Sequence, residues 1–169
     1  MAAESLEQQA ALVAAVPREM LTFRVGAEEY GIDILSVQEI RSYEPPTRLA
    51  NAPAFVKGVV NLRGTIVPIA DLRLQFGLAD SGVGPATVVI VLNVASRVVG
   101  IVVDAVSDVV ALAAEQVRPA PKFDSMVDAS HIIGLAALQQ ADNTAERLLI
   151  LLDIERLITS TAMGLVASA

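Results

Sequence analysis

Between two runs rich in β-branched residues, 55–62 and 65–70, the chain carries Asn61-Leu62-Arg63-Gly64. Gly64 supplies the backbone freedom that a tight reversal needs, so the segment reads as a hairpin with an arginine at its bend. A chain with such a hairpin at its centre must satisfy two strands at once. The same grammar recurs on either side of it. Residues 20–25 alternate in strand fashion, 26–29 supply a turn, and 30–34 return as a second strand. Residues 87–92 and 98–104 make another hairpin, with 105–112 as a further bent segment, and 132–138 and 148–152 read as two more strands.

Helical signals are sparse. Periodicity does not separate a short helix from a bent strand around Ile34, Val37 and Ile40. Residues 71–77 suit a helical turn stopped by Gly77, and Asp153 is placed to cap a terminal helix containing Ile154, Leu157 and Ile158. Many short strands with turns at regular spacing point to small β-barrels rather than βαβ units. At 169 residues and 54% hydrophobic, the chain has ample material for a core without metal or disulfide support. Residues 1–19 read as a flexible lead-in ended by Pro17, and 161–169 as a tail.

Composition also excludes function classes. A net charge of −7 with 12 Lys plus Arg argues against nucleic acid, whose binders cluster cations on phosphates. The absence of cysteine removes thiol catalysis and thiolate metal sites and suits a cytoplasmic address. The apolar stretch 88–103 is broken by Asn93, Ser96 and Arg97, far short of the roughly 20 apolar residues of a spanning helix. No direct membrane insertion is expected.

No catalytic set emerges. His131 is the single histidine, and no activating third group is evident beside it. Asp71 and Asp104 each follow an apolar run. They could form an acid and base pair, but aspartates at strand ends more commonly cap turns and helices. Arg63 at a hairpin bend and Glu39 between apolar neighbours are candidates for recognition, either with each other or with a partner. Phe123, in a proline-stiffened loop beside Lys122, has the character of an interface anchor or of a residue buried under its own loop. No cofactor and no metal are expected. The competing reading is a small β-barrel enzyme or ligand carrier using the strand-end aspartates.

The ordered motifs EEYGIDILSVQEIR, NAPAFVKGVVNLRGTIVPIADLR, RVVGIVVDAVSDV, EQVRPAPKF and LLILLDIERL closely resemble the CheW-like family of bacterial chemotaxis coupling proteins. The resemblance runs from Phe23 to Leu157. It implies a mainly β fold of two five-stranded SH3-like barrels on a shared hydrophobic core, as a single domain over 20–160. The first barrel would take 20–82 plus 138–160, and the second 83–137. It implies a non-catalytic adaptor coupling the cytoplasmic tips of chemoreceptors to the regulatory domain of the histidine kinase CheA, recruited to membrane-associated arrays with further adaptor copies. Carried over residue by residue, the receptor-binding groove would hold Val37, Glu39, Arg63, Val106 and Val109, with Gly58 and Gly100 allowing close packing nearby. The kinase and array interfaces would use Val88, Val99, Arg118, Lys122 and Phe123. An adaptor of a different chemosensory pathway is the alternative within the same fold.

Overall fold

The computed structural model describes residues 19–51, 56–78, 82–94, 96–119, 131–139 and 146–159. Four hairpins form where turn chemistry and alternation indicate them: β1 (Glu19–Val25) with β2 (Glu28–Asp33), β4 (Val56–Leu62) with β5 (Thr65–Asp71), β6 (Val88–Val94) with β7 (Arg97–Val103), and β10 (Ile132–Gln139) with β11 (Glu146–Leu152). In the second hairpin Leu62 faces Thr65 across a two-residue loop. Arg63 and Gly64 both take positive φ, 51° and 88°, as the tightest hairpin turns demand. The Asn61 side chain accepts from the Gly64 amide at 2.8 Å and stiffens the bend.

The ambiguous segment after Asp33 turns out to be both structures in succession. Asp33 caps a 3-10 turn at Ile34–Ser36, and β3 (Val37–Ser42) follows at once. Asp71 caps α1 (Leu72–Gln75), and Gly77 follows it with φ 84°. Asp153 accepts from the Arg156 amide at 3.1 Å at the start of α2 (Ile154–Thr159).

The remaining pairings join distant parts of the chain. One sheet has six strands in the order β8-β1-β2-β11-β10-β9, with β8 at Ala105–Ala111 and β9 at Val117–Arg118; the other has five, β3-β6-β7-β5-β4. Residues 37–103 therefore form one sheet, while the segments before and after them form the other. The expected division at 82/83 falls inside the five-stranded unit, and that at 137/138 falls inside β10. The long polar loop before β6 is a connection within one sheet and not a boundary between two. The six-stranded sheet exceeds the expected five because the two-residue β9 adds itself to β10.

The inner strands β6, β7 and β11 bury both of their faces. Val89 and Val91 of β6 and Val102 of β7 join Leu62, Val67 and Ile69 inside the five-stranded unit. Met20, Leu149 and Leu151 join Leu112, Val117 and Ala136 inside the six-stranded one. The alternate residues of the same strands, Ile90, Leu92, Ile101, Val103, Ile150 and Leu152, form a third, shared core with Phe23, Tyr30 and Phe76. The Tyr30 ring lies 5.9 Å from that of Phe23 and 5.3 Å from that of Phe76, linking β1 and β2 to the residue that follows α1. Burial on both faces explains the near-continuous apolar runs VVIVLNV and RVVGIVV.

The five-stranded sheet closes on itself. Its two edge strands are β3 and β4, yet Thr47, just beyond β3, exchanges two backbone hydrogen bonds of 2.9 Å with Val59 of β4. Closure brings the Thr47 carbonyl against Gly58, where an added Cβ would sit 2.0 Å from the oxygen and the φ is +144°. Gly100 serves the same unit sterically: a Cβ there would meet Ile69 Cδ1 at 2.5 Å and Val89 Cγ1 at 2.9 Å.

A buried ion cluster fastens the two sheets. The Arg73 guanidinium, 3% exposed, forks onto the fully buried Asp71 carboxylate at 3.0 and 2.9 Å and donates to the Gly82 carbonyl at 2.6 Å. Asp104, where the chain passes from one sheet to the other, receives Arg73 at 3.3 Å and the Gly26 amide at 2.7 Å.

Two stability outcomes follow. Gly58→Ala combines overpacking against backbone with a strained φ and should cost at least about 3 kcal/mol. Gly64→Ala, with nothing within 4 Å of its added Cβ, should cost only about 1–2 kcal/mol. Equal losses in thermal denaturation would refute closure at Thr47. Arg73→Ala takes the forked cation from a buried carboxylate, leaving it Lys57 at 3.9 Å, and should lose about 3 kcal/mol. At about 2–4 °C per kcal/mol for a chain of this size, its melting temperature should fall by roughly 10 °C.

Candidate functional site: two bulged edge strands beside the shared core

β3 and β8 are each an edge strand, one from each sheet, and each carries a β-bulge. In β3, Val37 faces Leu92 and Glu39 faces Val91, so Gln38 is the extra residue. In β8, Val106 faces Phe23 and Val109 faces Leu21, with two residues on β8 opposite Thr22 alone. A regular strand sends residues three apart to opposite faces. The bulges cancel that alternation. Val106 and Val109 consequently share the face of Phe23 and Leu21, and Val37 and Ile40 that of Leu92 and Ile90, all four partners belonging to the shared core.

Val37 and Val106 are half-buried and packed against that core, while Val109 and Ile40 remain 50% and 45% exposed. Four aliphatic side chains thus line the core from two strands that belong to different sheets. Leu35, at the 3-10 turn before β3, is 88% exposed. The sequence reading left Ile34, Val37 and Ile40 between a short helix and a bent strand and did not place Ile40 at the site; in a regular strand it would lie on the face opposite Val37. Only the bulge brings the two together.

After the bulge, Glu39 and Arg41 take the interior-facing side of the five-stranded unit, in register with Val91 and Val89. Closure of the sheet lets Glu39 reach Arg63, although their strands lie at opposite ends of the sheet order. The two side chains form a direct ion pair, with Arg41 a further 3.6 Å contact on Glu39. Hydrogen bonding from the Arg63 guanidinium holds the Glu39 carboxyl below its usual range. The two charges singled out in the sequence therefore pair with each other, and Arg63 stays largely exposed at the turn.

The other predicted positions separate. Val88 is half-buried at the start of β6, and Arg118 is exposed on the edge strand β9. Val99 is 0% exposed within the shared core, so its side chain offers no contact to a partner. Its strand, β7, lies in the middle of the sheet with both faces covered. Lys122 and Phe123 lie outside the described residues.

The strand-end aspartates are occupied structurally: Asp71 caps α1 and pairs with Arg73, and Asp104 holds the β1–β2 turn. The His131 carbonyl accepts from the Asp153 amide at 2.8 Å, which ties β10 to α2. Among the described residues no cluster of three or more His, Asp or Glu is placed to hold a metal ion. The cavity inside the five-stranded unit is about 40 Å³, lined by Val60, Leu62, Val67 and Ile69 with Arg41 and Asn61 among its polar groups. Ligand pockets run to several hundred Å³, so this one has no room for a carried ligand. Among the described residues no helix is long and apolar enough to cross a membrane.

Two small β units are fused through a common core, and each sets a bulged edge strand beside it. A family model described as the CheW-like domain matches residues 19–162, and the chain belongs to that family. A chemotaxis protein CheW from Klebsiella aerogenes is 56% identical over 89% of this chain and 87% of its own length. A probable chemotaxis protein CheW from Rhizobium etli is 35% identical over 85% of this chain and 89% of its own. Among solved structures, the scaffolding protein TtCheW from Thermoanaerobacter tengcongensis superposes with a TM-score of 0.74 at 26% identity, covering 87% of this chain and 96% of that one.

The Glu39–Arg63 pair has a direct readout. By carboxyl NMR titration, Glu39 should protonate below the usual glutamate range, and Arg63→Ala should raise its midpoint toward that range, since the dominant cause of the depression is removed. An unchanged midpoint in the variant would dissolve the pair in solution.

Proposed function

We propose that the protein is a non-catalytic adaptor that couples the cytoplasmic tips of chemoreceptors to a CheA-type histidine kinase. It works in the cytoplasm at membrane-associated receptor arrays. The observation that carries this reading is the pair of bulged edge strands. Val37 and Ile40 on one, and Val106 and Val109 on the other, offer aliphatic anchors beside a rigid core, with Glu39 and Arg63 adding charge alongside. An amphipathic helix, as at a helical hairpin tip, is the kind of partner that such a surface takes, with apolar anchors for affinity and charges for orientation.

The kinase and the neighbouring adaptor copies are assigned to other surfaces: exposed Arg118 on β9, the segment after it with Lys122 and Phe123, and Val88 at the start of β6. With receptor and kinase held on separate faces of one rigid body, receptor conformation biases kinase activity through the assembly. The output is a coupling free energy between sites and not a chemical step.

The test is phosphorylation by the kinase in the presence of membrane-embedded receptor, with and without this protein, followed by attractant. Strong activation that attractant suppresses is expected. Glu39→Lys places a third cation beside Arg63 and Arg41 and should lower receptor-dependent activation by about tenfold or more while leaving the circular dichroism spectrum intact. A folded Glu39→Lys protein with full activation would overturn the assignment of this surface to the receptor.

A further inference from the structure

One guanidinium outside the candidate surface holds the β8 bulge in place. Arg147, on β11, extends across β2 and β1 to β8, so its contacts span four neighbouring strands. Its Nε pairs with Glu29 of β2. Its Nη2 donates to Thr22 Oγ1 of β1 at 3.0 Å and to Asp108 Oδ1 at 2.6 Å, while Nη1 donates to Asp108 Oδ2 at 3.0 Å. Asp108 is one of the two β8 residues opposite Thr22 at the bulge.

Thr22 completes the arrangement from beneath. It is fully buried, accepts the Asp108 amide at 3.0 Å and donates its single proton to the Asp108 carboxylate. Ser107, the other bulge residue, donates to Glu29 at 3.3 Å. Every polar side chain of the bulge is therefore engaged by a group that Arg147 also holds. The forked, charge-assisted geometry suits arginine and not lysine, which presents a single point charge. The hydrogen bonds from Arg147 also hold Asp108 below the usual carboxylate range, so the lock stays charged at neutral pH.

We propose that Arg147 is a positioning residue for the partner-facing surface of β8, holding the Ser107-Asp108 bulge that keeps Val106 and Val109 on one face. This rests on the reading of that face as receptor-binding. β8 is an edge strand with β1 as its single neighbour in the sheet, so apart from the Thr22 bonds, which Arg147 itself braces, little resists relaxation of the bulge. A regular ladder would turn Val109 to the opposite face and remove one of the anchors. Arg147 touches no partner itself and acts through backbone geometry.

The experiment compares Arg147→Ala, Arg147→Lys, Asp108→Asn and Val109→Asp for affinity to receptor in lipid nanodiscs, affinity to the kinase regulatory domain, and amide hydrogen exchange in β8. Arg147→Ala should bind receptor about tenfold more weakly, because the competent form of β8 becomes a minor population. Kinase-domain affinity should stay within about twofold. Exchange at residues 106–110 should accelerate while that of β6 and β7 does not, and Arg147→Lys should recover part of both effects. Should Arg147→Ala fail to fold, Asp108→Asn, at an exposed carboxylate, carries the test with the same sign and a smaller loss.

Receptor affinity unchanged in Arg147→Ala but lost in Val109→Asp would overturn the lock while leaving the receptor surface standing. Unchanged affinity in Val109→Asp would overturn the receptor reading of β8 and the proposal with it. Equal losses toward receptor and kinase would also overturn it, since they would mark Arg147 as a general structural residue.

Discussion

β6, β7 and β11 each bury both faces, and such a strand is stable only with apolar material on either side of it. That requirement forces the architecture. One face of each of these strands fills the interior of its own unit, and the other must find a partner core, which here is shared by both units. Each fully buried Val, Ile or Leu contributes about 1.5–3 kcal/mol relative to exposure, so neither unit could leave its outer face in water. The two halves consequently act as one body. The Arg73 cluster reinforces this arrangement with polar groups satisfied inside a mostly apolar surrounding.

Rigidity at the centre moves the chemistry to the edges. β3 and β8 keep one side free of backbone pairing, and both avoid the hazard of an open, flat edge by bulging, with charged residues along them. The same bulges set aliphatic side chains three residues apart onto one face, which regular strands do not allow. Protection of the edge and presentation of a binding surface thus have one structural cause. Closure of the five-stranded sheet adds the ion pair, because only a curled sheet brings Glu39 on β3 near the turn between β4 and β5.

Much of this was legible locally. The four hairpins, the Asx-capped helices at Asp71 and Asp153 and the Arg63-Gly64 bend follow from alternation and turn residues within short windows. The grouping of strands did not follow from them. The loop before β6 has the composition of a boundary yet lies within a sheet, and Val99 has the look of any strand valine yet is wholly core. Ile40 and Arg147 gave no local sign of their roles, since one depends on a bulge and the other on contacts across four strands.

The sequence by itself determined the β class, the places where the chain turns, and which strands need cover on both faces, because these depend on neighbours a few residues apart. Only the tertiary structure decided the register of β8 against β1, the closure at Thr47 and the pairing of Glu39 with Arg63. Thr22 and Asp108 stand 86 positions apart, and nothing local can select between registers that differ by one residue. That choice is made by contacts between distant segments, Thr22 with Asp108 and Phe23 opposite Val106 among them, which no short window of sequence contains.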